Sequence, residues 1–162
     1  MNMGKMELSE RKTLKLTNVL KRRVKLEKEN TVFAAQVEQM QSYIRVKGAK
    51  QIGPLIQYAS VQVGETGDLL MSMELLLQCD KYIEGVEDPY IMQQSLRIPD
   101  CIYCRYIGGG ETLKFAYDKI NVYAFENEIP LKGSSYTIFV DQNEEGTVIA
   151  DVFMERANDE TD

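Results

Sequence analysis

The chain has no histidine and no tryptophan. Without imidazole, Ser-His-Asp and Cys-His catalysis, Cys/His zinc sites and a histidine general base are excluded, so any chemistry must run on carboxylates, tyrosines, lysines or thiols. Proline is scarce, four in 162 residues, and 44% hydrophobic with 27% charged residues is the composition of a globular chain rather than a disordered or fibrous one. No apolar run approaches the roughly 20 residues that cross a bilayer, and the opening MNMGKMELSERK lacks the apolar segment of a signal peptide. The expectation is a cytoplasmic protein without membrane contact. Cysteine is limited to Cys79, Cys101 and Cys104, an odd set without framework spacing that fits reduced, buried thiols. Positions three apart on a strand point to opposite faces, so Cys101 and Cys104 are not expected to form a redox or zinc pair. No metal and no cofactor is expected.

Charge is unevenly spread. Residues 1 to 28 carry nine Lys/Arg against three Glu, a balance of +6, so the net −6 of the whole chain leaves −12 for the remainder. An acidic body repels nucleic acid. The basic segment alternates with Leu14, Leu16, Leu20, Val24 and Leu26 and has no helix-turn-helix pattern, which predicts a strand with a solvated basic face and no direct nucleic-acid binding.

Residues 13–27 alternate as a strand, with an irregularity near Thr17-Asn18. Asn30 is a candidate N-cap for a helix whose face is Phe33, Val37, Met40 and Ile44, and Gly48 closes it. PLIQYASVQV and DLLMSMELLLQ follow as strands around the turn GETG. After a turn-rich connector, the same shape returns as CIYCRYI, then TLKFAYDKINVYAFE, then SSYTIFVDQ and TVIADVFME. A shift of 80 residues carries Phe33, Val37, Met40, Tyr43 and Ile44 onto Leu113, Tyr117, Ile120, Tyr123 and Ala124, and Gly53 onto Gly133; a shift of 79 carries Gly67 onto Gly146. The fold class is therefore α+β, two β-α-β-β units related by a pseudo-twofold axis. The antiparallel sheets carry their helices on one side and leave a central groove. Residues 1–12 are expected as an N-terminal tail, 13–156 as one domain (repeats at about 13–79 and 99–156, connector at about 80–98), and 157–162 as an acidic tail.

Alternation sorts the strands into faces. Ala150, Val152 and Met154 form an apolar set for the helix side, leaving Asp151 and Phe153 toward the groove. By the same reading Met71, Met73, Leu75, Leu77, Ile138 and Val140 pack inward, while Glu74, Thr137 and Phe139 face the groove with Gln57 in Thr137's place. A carboxylate among aromatic rings suits an organic cation, through charge and cation-π contact; a surface acid on an open sheet face gives the same pattern. The glycine run in IGGGET (107–112) looks like a phosphate cradle, but Glu111 at the helix start would repel an anion and no Walker lysine follows. It reads as a tight turn.

KQIGPLIQY (50–58), IPDCIYCRYIGGGETLKFAYDKINVYAFENEIPLKGSSYTIFVD (98–141) and TVIADVF (147–153) together resemble the GyrI-like effector-binding domain family. The resemblance implies a duplicated β-α-β-β fold with a central groove for small molecules, often lipophilic cations. In that family the domain serves as the sensor of multidrug-responsive transcription regulators or as a stand-alone bacterial protein. The family's pocket glutamate of the last strand falls on Asp151. Gly110 stands where relatives often carry a tyrosine, and Thr137 where they often carry a glutamate. The leading expectation is a stand-alone small-molecule binder, not an enzyme, with Asp151 supplying charge and Phe139, Phe153 and Tyr103 as walls. A protein partner docked on the groove or the basic arm is the alternative. Hydrolysis with Asp151 or Glu74 as general base is a third.

Overall fold

The computed structural model describes residues 4–24 and 33–157. Its elements are β1 (Lys5–Val24), α1 (Ala34–Val46), β2 (Ile56–Val63), β3 (Leu69–Gln78), β4 (Tyr90–Gly109), α2 (Lys114–Glu126), β5 (Leu131–Gln142) and β6 (Thr147–Arg156), with a single 3-10 turn at Gly110–Thr112 ahead of α2. Strand ladders are antiparallel and the chain is α+β. It divides into two compact units: Lys15–Arg97, and the N-terminal segment up to Leu14 joined to the chain from Ile98 onward.

In the Lys15–Arg97 unit the strand order is β1-β3-β2, and in the other it is β4-β6-β5. Each unit thus runs strand, helix, strand, strand, with the last strand paired between the first and the third. The repeat extends to the packing. Met40 and Ile44 of α1 are buried against Leu20, Val24, Leu75 and Leu77, with Phe33, Val37 and Tyr43 at the margin. Ile120 and Ala124 of α2 are buried against Ile102, Cys104, Tyr106, Val152 and Met154, with Leu113, Tyr117 and Tyr123 at the margin. Five residues of one helical stripe match five of the other. The turn glycines agree as well: Gly53 and Gly133 have φ of 84° and 88°, Gly67 and Gly146 of 84° and 86°.

Helix ends show the same duplication in the backbone. Gly48 N–H donates to Arg45 O and Ala49 N–H to Ile44 O, while Glu128 N–H donates to Phe125 O and Ile129 N–H to Ala124 O. Both are left-handed caps that satisfy the last carbonyls, with φ of 78° at Gly48 but 55° at Glu128. A side chain in that region is strained, by about 1–2 kcal/mol, part of which is recovered because glycine loses more entropy on folding. Glu128→Gly should therefore raise the unfolding free energy by about 0.5–1 kcal/mol, read as a higher urea midpoint with unchanged slope.

Several sequence expectations change here. Residues 5–12 are strand rather than tail, because Met6 and Leu8 pack on the α2 core amid charged neighbours that hid the alternation. The connector is half strand: β4 begins at Tyr90, and Tyr90 and Met92 pack on the α1 core, with Tyr90 stacked on Tyr43 at 4.3 Å. Ala157, assigned to the acidic tail, donates its amide to Pro130 O, while 158–162 lie outside the described residues. The Asn30 cap and Leu26 also fall outside them. The irregularity expected near Asn18 is a left-handed residue with φ 49°. Among the described residues no helix is long and apolar enough to cross a membrane.

Candidate functional site

Register decides which side chains meet. On the unit that holds α2, Cys104 and Thr137 both stand opposite Val152, so these three share the face that packs on the helix. One residue along, Tyr103 and Tyr136 stand opposite Phe153, and Arg105 and Ile138 opposite Asp151, all on the face away from α2. Asp151 and Phe153 share this face as the alternation predicts, and Tyr103, expected as a wall, stands beside them.

Thr137 and Phe139 are not with them. Thr137 is 2% exposed and hydrogen-bonded through its hydroxyl to Tyr117 of α2, and Phe139 stands opposite Ala150 on the same side. β5 is apolar at both parities (Tyr136, Ile138 and Val140 against Phe139), and a register shift between Phe139 and Asp141 breaks its alternation. Hydrophobicity alone therefore chose the wrong face. Ile138 belongs to the Asp151 face, and Val140 is exposed rather than core. Gln57 repeats the misassignment in the other unit: it stands opposite Leu75 on the α1 side and donates to Met73 Sδ at 3.3 Å. Glu74 does face away from α1, opposite Tyr58 and Arg23. Met71, expected inside, is exposed near the β2–β3 turn.

Arg105 is the residue that sequence reading missed. Its Nε donates to Asp151 Oδ1 at 2.8 Å and a terminal nitrogen to Oδ2 at 2.9 Å, a bidentate pair, while Tyr103 Oη donates to Oδ1 at 2.7 Å. Asp151 is 14% exposed at its side chain and Arg105 40%. The carboxylate is the inner partner and the guanidinium the outer one. Tyr103 also leans on Phe153, ring centroids 4.9 Å apart. The hydrogen bond and attraction from Asp151 hold the Arg105 guanidinium above its already high range. Burial, then the hydrogen bond to Asp151, push the Tyr103 phenol up to about 12. A phenol raised in this way adds stability that is complete below its ordinary value of 10 and lost as pH climbs from there through 12. A tyrosine that ionises near pH 12 should appear in the alkaline absorbance titration, and Tyr103→Phe should remove it and flatten the stability loss in that window.

The glycine turn is closed by its own neighbours. Tyr106 Oη donates to Gly109 O at 2.6 Å and is bonded to the Thr112 hydroxyl, which itself lies 3.2 Å from Gly109 O. A β-carbon on Gly108 would come 2.7 Å from Tyr106 Oη and 2.8 Å from Gly4 Cα, whereas one on Gly110 would meet Val148 at an ordinary 3.6 Å. Gly108 is therefore required by a close approach and Gly110 is not. The three thiols are buried; burial pushes Cys79 and Cys101 up to about 11 and Cys104 in the same direction, so they are poor nucleophiles. Among the described residues no three His, Cys, Asp or Glu side chains are grouped to hold a metal ion.

No protein-family model matches the sequence, and no curated protein does. Solved structures match the fold. The chain is similar to EcmrR in its complex with DNA, with a TM-score of 0.62 and 14% identity over 96% of this chain and 58% of that one. It thus spans little more than half the EcmrR chain. It is also similar to a hydrolase encoded by lin2189 from Listeria innocua, with a TM-score of 0.55 and 8% identity over 94% of this chain and 92% of that one. At these identities the likeness is one of fold: the chain adopts an architecture found in a DNA-bound protein and in a protein called a hydrolase.

Proposed function

We propose that this protein is a small-molecule effector-binding protein of the GyrI-like kind, and that its ligand rests on the face of β4, β6 and β5 away from α2. One observation carries the reading: a partly buried Arg105–Asp151–Tyr103 cluster of charge and hydrogen bonds set beside the buried rings of Phe153 and Tyr136 on one sheet face. Aromatic walls around a few fixed polar groups are the common make-up of small-molecule sites. Binding without reaction fits the geometry, because the Tyr103 hydroxyl and the Arg105 guanidinium occupy three of the carboxylate's lone pairs. A thermal-shift panel of aromatic cations, anions and neutral compounds tests the reading. At least one class should stabilise the wild type and lose its effect in Phe153→Ser. A panel in which no compound stabilises the wild type refutes it.

A second reading, a protein-binding role, has its own observation. Val61, Val63, Leu69 and Met71 are all exposed and pair across one face at the end of the β2–β3 hairpin. A contiguous exposed apolar patch of this kind marks interaction surfaces. Light scattering on the wild type and on Val63→Ser/Leu69→Ser would reveal self-association through this hairpin; a monomer in both removes that form of it.

A further inference from the structure

The proposed site leaves open the charge of its ligand, and the arrangement around Arg105 decides it. Asp151 has three of its four lone-pair sites engaged: one oxygen accepts from Tyr103 and from Arg105 Nε, the other from an Arg105 terminal nitrogen. A cation approaching it finds a single lone pair of Oδ2 left and meets the guanidinium, the more exposed partner, first. The internal pair already supplies the positive charge that Asp151 would otherwise seek from a ligand.

The guanidinium is only half used. It spends its side edge, Nε and one terminal nitrogen, on Asp151, with the Tyr103 hydroxyl close enough to interact with it as well, and among the described residues no ion pair engages the other terminal nitrogen. That nitrogen and the remaining proton of its neighbour form a second fork, of the width that accepts both oxygens of a carboxylate. Asp151 holds the guanidinium plane from behind, so a ligand does not bear the entropy cost of fixing a long side chain. The next acid along β6 on the same face, Glu155, is taken by Lys132 at 3.0 Å. Both acids on this face of β6 are therefore paired, and among the described residues that pair with them Arg105 keeps an outward edge for a ligand. Half-buried Tyr103, its ring 4.9 Å from that of Phe153 on the neighbouring strand, lies two residues from Arg105 along the strand, with Phe153 behind it at 9% exposure.

We infer that Arg105 receives the carboxylate of a small aromatic acid, with the ligand ring against Tyr103 and Phe153. This rests on the small-molecule reading above and narrows it to one chemical class: an aromatic carboxylate rather than a lipophilic cation.

Calorimetric titration of the full chain with 1-naphthoate, its neutral counterpart 1-naphthalenemethanol and tetraphenylphosphonium tests it. Naphthoate should bind the wild type at least tenfold more tightly than the alcohol and weaken as salt is raised. Arg105→Gln should bring naphthoate down to the alcohol's level, while Arg105→Lys, which keeps the charge but not the fork, should fall between. Circular dichroism checks that each variant folds; should Arg105→Gln fail, the acid-against-alcohol comparison on the wild type and the lysine variant decide alone. Equal binding of acid and alcohol by the wild type, or undiminished naphthoate binding by Arg105→Gln, overturns the inference. Tetraphenylphosphonium binding to the wild type without naphthoate binding overturns it too, yet leaves the small-molecule reading standing. Binding of none of the three overturns the inference, and the wider panel then judges the parent reading separately.

Discussion

Ile120→Ala should lower the unfolding free energy by about 3–4 kcal/mol, in the middle of the range for emptying a buried aliphatic site. Ile120 is fully buried in the middle of α2, and its helical neighbours on the packed face are Ala116 and Ala124. Neither alanine can reach into the space, and Cys104 and Val152 of the same core stand opposite each other in the β4–β6 ladder, which fixes their position. The void would persist. Its counterpart Met40 is equally buried, but Val37 and Ile44 flank it with longer side chains that can lean inward. Met40→Ala should therefore cost less, about 2–3 kcal/mol. Urea unfolding followed by circular dichroism measures both; a loss under about 1 kcal/mol for Ile120→Ala would mean that the α2 core is not close-packed there.

Arg105→Ala should be more damaging than Asp151→Ala, although the two delete partners of one ion pair. Without Arg105 the carboxylate, 14% exposed in the intact pair, keeps Tyr103 as its remaining donor and gains only the water that enters the space the guanidinium leaves. Removing one partner of a fully buried pair costs about 3–5 kcal/mol, and partial access to solvent brings this case to about 2–3. Without Asp151 the guanidinium, already 40% exposed, turns out to solvent, leaving mainly the Tyr103 hydroxyl to be satisfied. That loss should be about 1–2 kcal/mol. The double substitution should cost less than the sum of the singles, because each alone orphans the other. The reverse order of the two singles would contradict the assignment of Asp151 as the inner partner.

Much of this was legible in the residues. The helical stripes were found by period, and their equivalence by an offset of 80, because a helix packed on one face imposes a 3.6-residue pattern that charge elsewhere does not blur. The glycines of the turns were legible for a related reason: a left-handed backbone restricts residue choice. β5 was not, since aromatic and β-branched residues at both parities erase the contrast on which alternation depends. Arg105 was hidden differently. Its parity already put it beside Tyr103, but its meeting with Asp151 depends on the pairing of β4 with β6, a non-local register that no local pattern encodes.

The contact between Gly4 and Gly108 has a further meaning for how β1 is seated. A β-carbon on Gly4 would press to 2.8 Å from the Ile107 carbonyl oxygen, and one on Gly108 to 2.8 Å from Gly4 Cα. The two missing side chains make a notch that fits a single setting of the strand. Sliding β1 by one position would bring the Lys5 side chain into the notch and also turn Met6 and Leu8 away from the core they cover. The glycine pair works as an alignment key: it adds little attraction of its own, yet it rejects the neighbouring settings and so selects the one in which the N-terminal strand completes its unit.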